Sequence, residues 1–269
     1  MILSDLHIHS TYCDGKSTLE QTVKAAINMG LESIGFSGHS YTAFDTSYCM
    51  SHSGTVQYIN EVQKLKKQYA DKIKIYLGIE RDFYSEDTRA DYDYVIGSVH
   101  YIYVNGSYLP IDESAEILRQ ICDKYFSSNY IELVKAYYKN AACVAKRTRA
   151  DITGHFDLIT KFCGSGLFSS DDAEYKKIAE NAVQSAAEYC NLFEMNTGAI
   201  LRGYKKEPYP SRFLIETIKD CNGRIILSSD SHSEKTLCYM FDECISILKS
   251  VGYKSVTVFE NKKFVEKDI

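Results

Sequence analysis

Leu3-Ser4-Asp5-Leu6-His7-Ile8-His9-Ser10-Thr11-Tyr12-Cys13-Asp14-Gly15 is the stretch on which the rest of the chain turns. Side chains two apart on a strand share a face. A strand over Leu3–His9 therefore sets Asp5, His7 and His9 on one face and Ile2, Leu6 and Ile8 on the other. Two imidazoles on one face, with no loop between them, can grip one metal ion. Asp14 follows on a turn beside Gly15. Ser17-Thr18-Leu19-Glu20 fits a capping box, which opens a helix.

Outward from this stretch the pattern recurs: a short apolar strand runs into a polar residue, and a helix follows. Strands are predicted over Ser33–Ser37, Ile73–Ile79, Tyr94–His100, Asp151–His155, Leu192–Asn196, Arg224–Asp230 and Ser255–Phe259. Helices are predicted over Thr18–Met29, Val56–Tyr69, Ser114–Phe126, Tyr130–Arg147, Asp171–Tyr189, Ser211–Asp220 and Glu234–Ser250. Gly30 ends the first helix, and Tyr41–Gly54 reads as a loop. Asn105-Gly106 marks a hairpin within Tyr101–Ile111. Alternating strands and helices argue for parallel βα units. About seven units, with no long linker or repeat, point to one α/β domain over residues 1–269, closed or nearly closed into a barrel, a length that single barrels reach.

The carboxyl ends of the strands carry the active site in such barrels. Here those ends bear His7 and His9, then His39, Glu80, His100, His155, and Asp230 with His232. Six of the seven histidines fall at such positions; His52, in a polar loop, reads as a surface residue. Asp230-x-His232 repeats the spacing of His7-x-His9. Glu80 has two oxygens and can bridge two metals about 3.5–4 Å apart.

The formal charge of −5 gives no electrostatic footprint for nucleic acid. No apolar run is long enough to span a membrane, and no basic segment precedes an apolar one at the N-terminus, so no signal peptide is expected. Nine scattered cysteines form no Cys-x-x-Cys pair. The odd count favours free thiols, and the expected compartment is the cytoplasm. Cys13, next to Asp14, could lie near a metal.

Seven motifs carry a family resemblance: Asp5-Leu6-His7-Ile8-His9-Ser10, Asp14-Gly15, Gly38-His39-Ser40, Gly78-Ile79-Glu80, Gly97-Ser98-Val99-His100, Gly154-His155-Phe156-Asp157 and Ser229-Asp230-Ser231-His232. Over nearly its full length the chain resembles the polymerase and histidinol phosphatase (PHP) superfamily of metal-dependent phosphoesterases. Glu194-Met195-Asn196-Thr197, Arg202-Gly203 and Tyr209-Pro210-Ser211 bring it nearest to the monofunctional histidinol-phosphate phosphatases. The resemblance implies a distorted (β/α)7 barrel with two to three divalent ions, zinc, manganese or iron. One ion would take His7, His9, Glu80 and Asp230; a second Glu80, His100 and His155; a third Asp14, His39 and His232. Asp14 stands where some relatives have histidine, which would weaken the third site or alter its metal preference. Arg202 matches an arginine expected to hold phosphate. Lys161 sits where another arginine is expected, keeping the charge and losing the bidentate fork. Asp5 would orient a ligand histidine.

The implied reaction is hydrolysis of L-histidinol phosphate to L-histidinol and inorganic phosphate, in histidine biosynthesis. Water, made acidic by the metals, is the nucleophile, and Asp230, His232 or the third metal could assist the departing alkoxide. Rival readings are a PHP-type nuclease or nucleotide phosphoesterase, an amidohydrolase-type barrel, and a non-catalytic metal-binding domain. The acidic balance disfavours the first, the bridging Glu80 the second and the complete ligand set the third. The oligomeric state is left open.

Overall fold

The computed structural model describes residues 4–88 and 91–269. In chain order the elements are β1 (Ser4–Asp5), α1 (Leu19–Asn28), β2 (Ser33–Phe36), α2 (His52–Gln68), β3 (Lys74–Asp82), β4 (Tyr94–Ser98), β5 (Tyr101–Val104) and β6 (Ser107–Pro110). Then come α3 (Ala115–Phe126), α4 (Tyr130–Ala141), α5 (Val144–Thr148), β7 (Ile152–Thr153), a 3₁₀ helix (Leu158–Ser165), α6 (Ala173–Ala187) and β8 (Leu192–Asn196). The last are α7 (Gly198–Leu201), α8 (Arg212–Asp220), β9 (Arg224–Ser228), α9 (Phe241–Val251), β10 (Ser255–Glu260) and β11 (Lys263–Asp268).

The main sheet runs β1-β2-β3-β4-β7-β8-β9-β10-β11, with β5 and β6 as a separate hairpin. The first seven strands in that order pair in parallel. The curl closes at the carboxyl rim, where Ile8 bridges Ser231. There the His9 N–H donates to the Ser231 carbonyl at 2.8 Å and the Ser231 N–H to the His7 carbonyl at 3.0 Å. Lower down, β9 pairs instead with β10, which carries the antiparallel β11. The result is the expected distorted seven-stranded barrel, zipped at one end and spread at the other.

Its floor is apolar: Leu6, Tyr94, Ile96, Ile152, Leu192 and Ile226 pack together there. The buried Tyr94 hydroxyl donates to the carbonyls of Leu6 and Phe36. The ring fits because two neighbouring strands present glycine to it. A Cβ at Gly35 would lie 2.4 Å from the Tyr94 hydroxyl, and one at Gly78 only 2.2 Å from its Cζ.

Several local expectations change. Leu6 packs in the barrel floor and Ile8 against α1 residues Leu19 and Val23, so the strict alternation expected over Leu3–His9 breaks after Asp5. Ile2 and Leu3 lie outside the described residues. The capping box forms one residue later than expected, between Thr18 and Gln21. Asp172, not Asp171, caps α6. Ser211 precedes α8 but makes no cap bond; its hydroxyl goes to Asp157 at 2.5 Å. The predicted Tyr130–Arg147 helix breaks into α4 and α5, and the last helix begins at Phe241 rather than Glu234. Among the described residues no helix is long and apolar enough to cross a membrane, and all nine cysteines are free thiols.

Candidate metal centre

Parallel strands deliver their carboxyl-terminal side chains to one cup. Glu80, on β3, lies at its centre and is almost completely buried. Its Oε2 is 2.9 Å from His39 Nδ1, 3.3 Å from His7 Nε2 and 3.6 Å from His9 Nε2. Its Oε1 is 3.0 Å from His155 Nε2 and 3.6 Å from His100 Nε2. Asp230, beyond β9, puts Oδ1 3.2 Å from His9 Nε2 and 3.8 Å from His7 Nε2. Asp14 reaches in from its turn, 3.2 Å from His232 Nε2 and 3.7 Å from His39 Nε2.

Three groups could each hold an ion: His7, His9 and Asp230; His39, Glu80 and His100; and His9, Asp14, His39 and His232. Eight of the nine candidate ligands from the sequence fall in these groups, and the ninth, His155, lies 3.0 Å from Glu80. The grouping differs in detail, since His39 lies closer to Glu80 than to Asp14 and joins Glu80 and His100 where His155 was expected, and His9 also joins the Asp14 group. His7 Nε2, His9 Nε2 and Glu80 Oε2 are buried and lack a well-formed hydrogen bond. Buried polar atoms left so are costly, and three of them aimed at one point are the donor set of a divalent ion. The residues present fit a metal.

The electrostatics agree. Burial opposes ionisation of Glu80, yet His39, His7 and His100 hold its carboxyl well below the usual range. Burial likewise opposes ionisation of Asp230, and Arg202 with His7 holds it well below. His9 is pushed down to about 3, by burial and then by His232 and His39, so it is a neutral imidazole with a free lone pair. Asp230 is thus an anion suited to a metal or cation and poorly suited to donate a proton.

Two residues behind the cup were not singled out as site residues from the sequence. Glu194, on β8, accepts from His7 Nδ1 at 2.8 Å through Oε2. Its Oε1 accepts from the His155 N–H at 2.5 Å and Asn196 Nδ2 at 2.9 Å. Asp82 lies 3.4 Å from His100 Nδ1 and accepts from the His100 N–H at 2.9 Å. The ring-orienting role expected of Asp5 falls to Glu194. Asp5 instead accepts from the backbone N–H groups of His7, Ser229 and Cys238 and from the Ser229 hydroxyl. It ties β1 to the chain beyond β9. A carboxylate inside the apolar strand Leu192–Asn196 was the available signal for Glu194.

The cup opens into a cleft of about 440 Å³ that both proposed phosphate contacts line. Arg202 Nη2 is 2.9 Å from Asp230 Oδ2, and its Nη1 is 3.3 Å from His232 Nδ1. Lys161 donates to the Asp112 carbonyl at 2.7 Å and to Asp112 Oδ2 at 3.1 Å. Cys13 Sγ is 3.6 Å from His9 Nδ1 but belongs to none of the three groups. His52 is exposed at the start of α2, its ring against Tyr41, away from the cup.

The family model of the PHP domain matches residues 5–198. The chain belongs to the PHP domain family. Among its PHP relatives, a probable histidinol-phosphatase of Schizosaccharomyces pombe is 26% identical, the match covering 94% of this chain and 88% of that protein. One of Deinococcus radiodurans is also 26% identical, covering 97% and 98%. The crystal structure of histidinol phosphate phosphatase from Lactococcus lactis, complexed with zinc, L-histidinol and phosphate, superposes with a TM-score of 0.73. It is 22% identical and covers 98% of this chain and 99% of that one. At that identity the likeness establishes the shared PHP fold.

Proposed function

We propose that this chain is a metal-dependent phosphomonoesterase that hydrolyses L-histidinol phosphate to L-histidinol and inorganic phosphate. The observation that carries the reading is the cup itself: a buried carboxylate within reach of five imidazoles, with Arg202 at the same opening. Relatives matched along almost their whole length and bearing the histidinol-phosphatase name support the substrate. We place the step in histidine biosynthesis and the enzyme in the cytoplasm, where free thiols stay reduced.

His7, His9, Glu80 and Asp230 would hold one ion, Glu80, His100 and His155 a second, and Asp14, His39 and His232 a third. Bound divalent ions supply Lewis acidity, which makes water a nucleophile at neutral pH and offsets charge on phosphoryl oxygens. Glu194 and Asp82 hold His7 and His100 by their second nitrogens or backbone, so that Nε2 of each faces the cup. Arg202 offers a planar fork to the phosphoryl oxygens as charge builds on them. Lys161, which lines the same cleft, adds a point charge. His232, more exposed than the other histidine ligands and with Nδ1 2.9 Å from the Asp230 carbonyl, is the better placed of the two candidates to give a proton to the leaving alkoxide when it holds no ion.

Phosphate release tests this. Protein stripped by chelator and refilled with Zn²⁺, Mn²⁺ or Fe²⁺ should prefer L-histidinol phosphate over nucleotides and short oligonucleotides. Preference for either of the latter would replace the reading with a nucleotide phosphoesterase or nuclease. No turnover with any metal would leave a metal-binding domain.

A further inference from the structure

We propose that Asp112 determines specificity by receiving the ammonium group of the substrate; this rests on the histidinol-phosphate reading. Both signs of charge line the cleft. Arg202 and Lys161 supply its cations, and Asp45, Asp112 and Glu113 line it as anions beside the metal cup. Asp45 is committed, since its Oδ2 accepts from the Tyr101 hydroxyl at 2.5 Å. Asp112 is held in place: the preceding Ile111 N–H donates to the His100 carbonyl at 2.9 Å, which pins the exit of β6 to the rim of the cup. Its Oδ2 is 3.1 Å from Lys161 Nζ, and the Lys161 ammonium also packs over the Tyr204 ring at 4.9 Å.

An anion and a cation therefore stand side by side in the cleft. The proposed substrate carries the complementary pair, because its amine lies only two carbons from the phosphate ester oxygen. Seating the phosphate against Arg202 and Lys161 brings the ammonium to Asp112, and each of the four charges then meets an opposite one. A monoester without the amine leaves the Asp112 carboxylate facing phosphate oxygens. Attraction for the right ester and repulsion of the wrong one thus come from the same side chain.

The test compares wild type with Asp112→Asn on L-histidinol phosphate and on the same ester lacking the amine. The variant should lose about 10- to 100-fold in kcat/KM on the aminated ester, mostly through KM, as expected for loss of a hydrogen bond between charged groups. On the des-amino ester it should be unchanged or faster. Product inhibition by L-histidinol should weaken while inhibition by inorganic phosphate holds or tightens, a split that a merely structural role would not produce. Asp112→Ser should give the same split from a smaller side chain. Equal losses on both esters, or none on either, would overturn the assignment while leaving the phosphatase reading intact. A wild type that ignores L-histidinol phosphate but cleaves other esters would overturn both.

Discussion

Replacing Glu194 by glutamine should invert the tautomer of a metal-facing histidine without emptying the space behind it. In the native arrangement Oε1 of Glu194 accepts from both the His155 N–H and Asn196 Nδ2. A glutamine must keep its oxygen there, because its amide NH₂ would face two donors. The NH₂ then faces His7 Nδ1, which must present a lone pair, and the His7 proton moves to Nε2. That nitrogen is 3.3 Å from Glu80 and 3.8 Å from Asp230, so the misplaced proton finds acceptors and the protein still folds. An ion must displace that proton to bind. Loss of such an outer partner costs about 10- to 100-fold in metal affinity, or about 1.4–2.7 kcal/mol. Chelator competition should show this weakening, with turnover partly restored at high metal, and ¹⁵N spectra of the metal-free variant should place the His7 proton on Nε2. Wild-type metal affinity together with a proton on Nε2 would refute the reasoning. Glu194→Ala is a less clean probe, since it strands the buried His155 N–H at about 1–3 kcal/mol.

Further outcomes are expected elsewhere. Glu80→Ala should remove the ligand that the first two proposed ions share, lower metal content and nearly abolish phosphate release. Arg202→Ala should keep its metal and instead weaken phosphate inhibition about tenfold or more; equal metal loss in both would contradict this division. Gly78→Ala should force Tyr94 out of its seat and cost about 1–3 kcal/mol as overpacking, read as a fall of several degrees in Tm; an unchanged Tm would mean the floor relaxes freely. Burial opposes ionisation of Asp93, but Lys262, Lys66 and the Leu77 N–H hold its carboxyl below the usual range. A depressed folded-state value contributes stability above the unfolded carboxylate range and loses it as pH falls through the folded value. Asp93→Asn should therefore flatten the acid limb of the stability profile while changing little on further acidification; an unaltered acid limb would sink the point.

The parts legible in the sequence were those written as local period and punctuation. Short apolar strands ending in His39, Glu80, His100 and His155 gave both the barrel and its cup, because a parallel barrel sends every such end to one place. Less was legible where a tertiary partner overrode the local pattern. Ser211 has the chemistry of a cap but spends its hydroxyl on Asp157. The β10–β11 hairpin went unseen because its turn is Asn261-Lys262, both at positive φ, and lysine is a rare occupant of that conformation. Asp5 shares a parity with His7 in the sequence, yet a break after Asp5 sends its carboxylate to the chain beyond β9 instead. Asp112 follows a hairpin and meets Lys161 in the cleft, a pairing that no spacing announces.

The closure of the barrel gives the metal centre a second meaning. Ile8 and Ser231 meet at the seam, and the residues beside them are His7, His9, Asp230 and His232. The two sides of that seam belong to nearly opposite ends of the chain, so an ion held by His9 and Asp230 would act as a reversible cross-link closing a loop of almost the whole polypeptide. Long closures weigh heavily on the unfolded ensemble, and a ligand that binds only the closed form raises stability with its concentration. The seventh strand of the barrel, β9, is thus secured to the first by backbone bonds, by the Asp5 carboxylate and by whatever the cup contains. Catalytic readiness and the integrity of the barrel would then rise and fall together with metal supply.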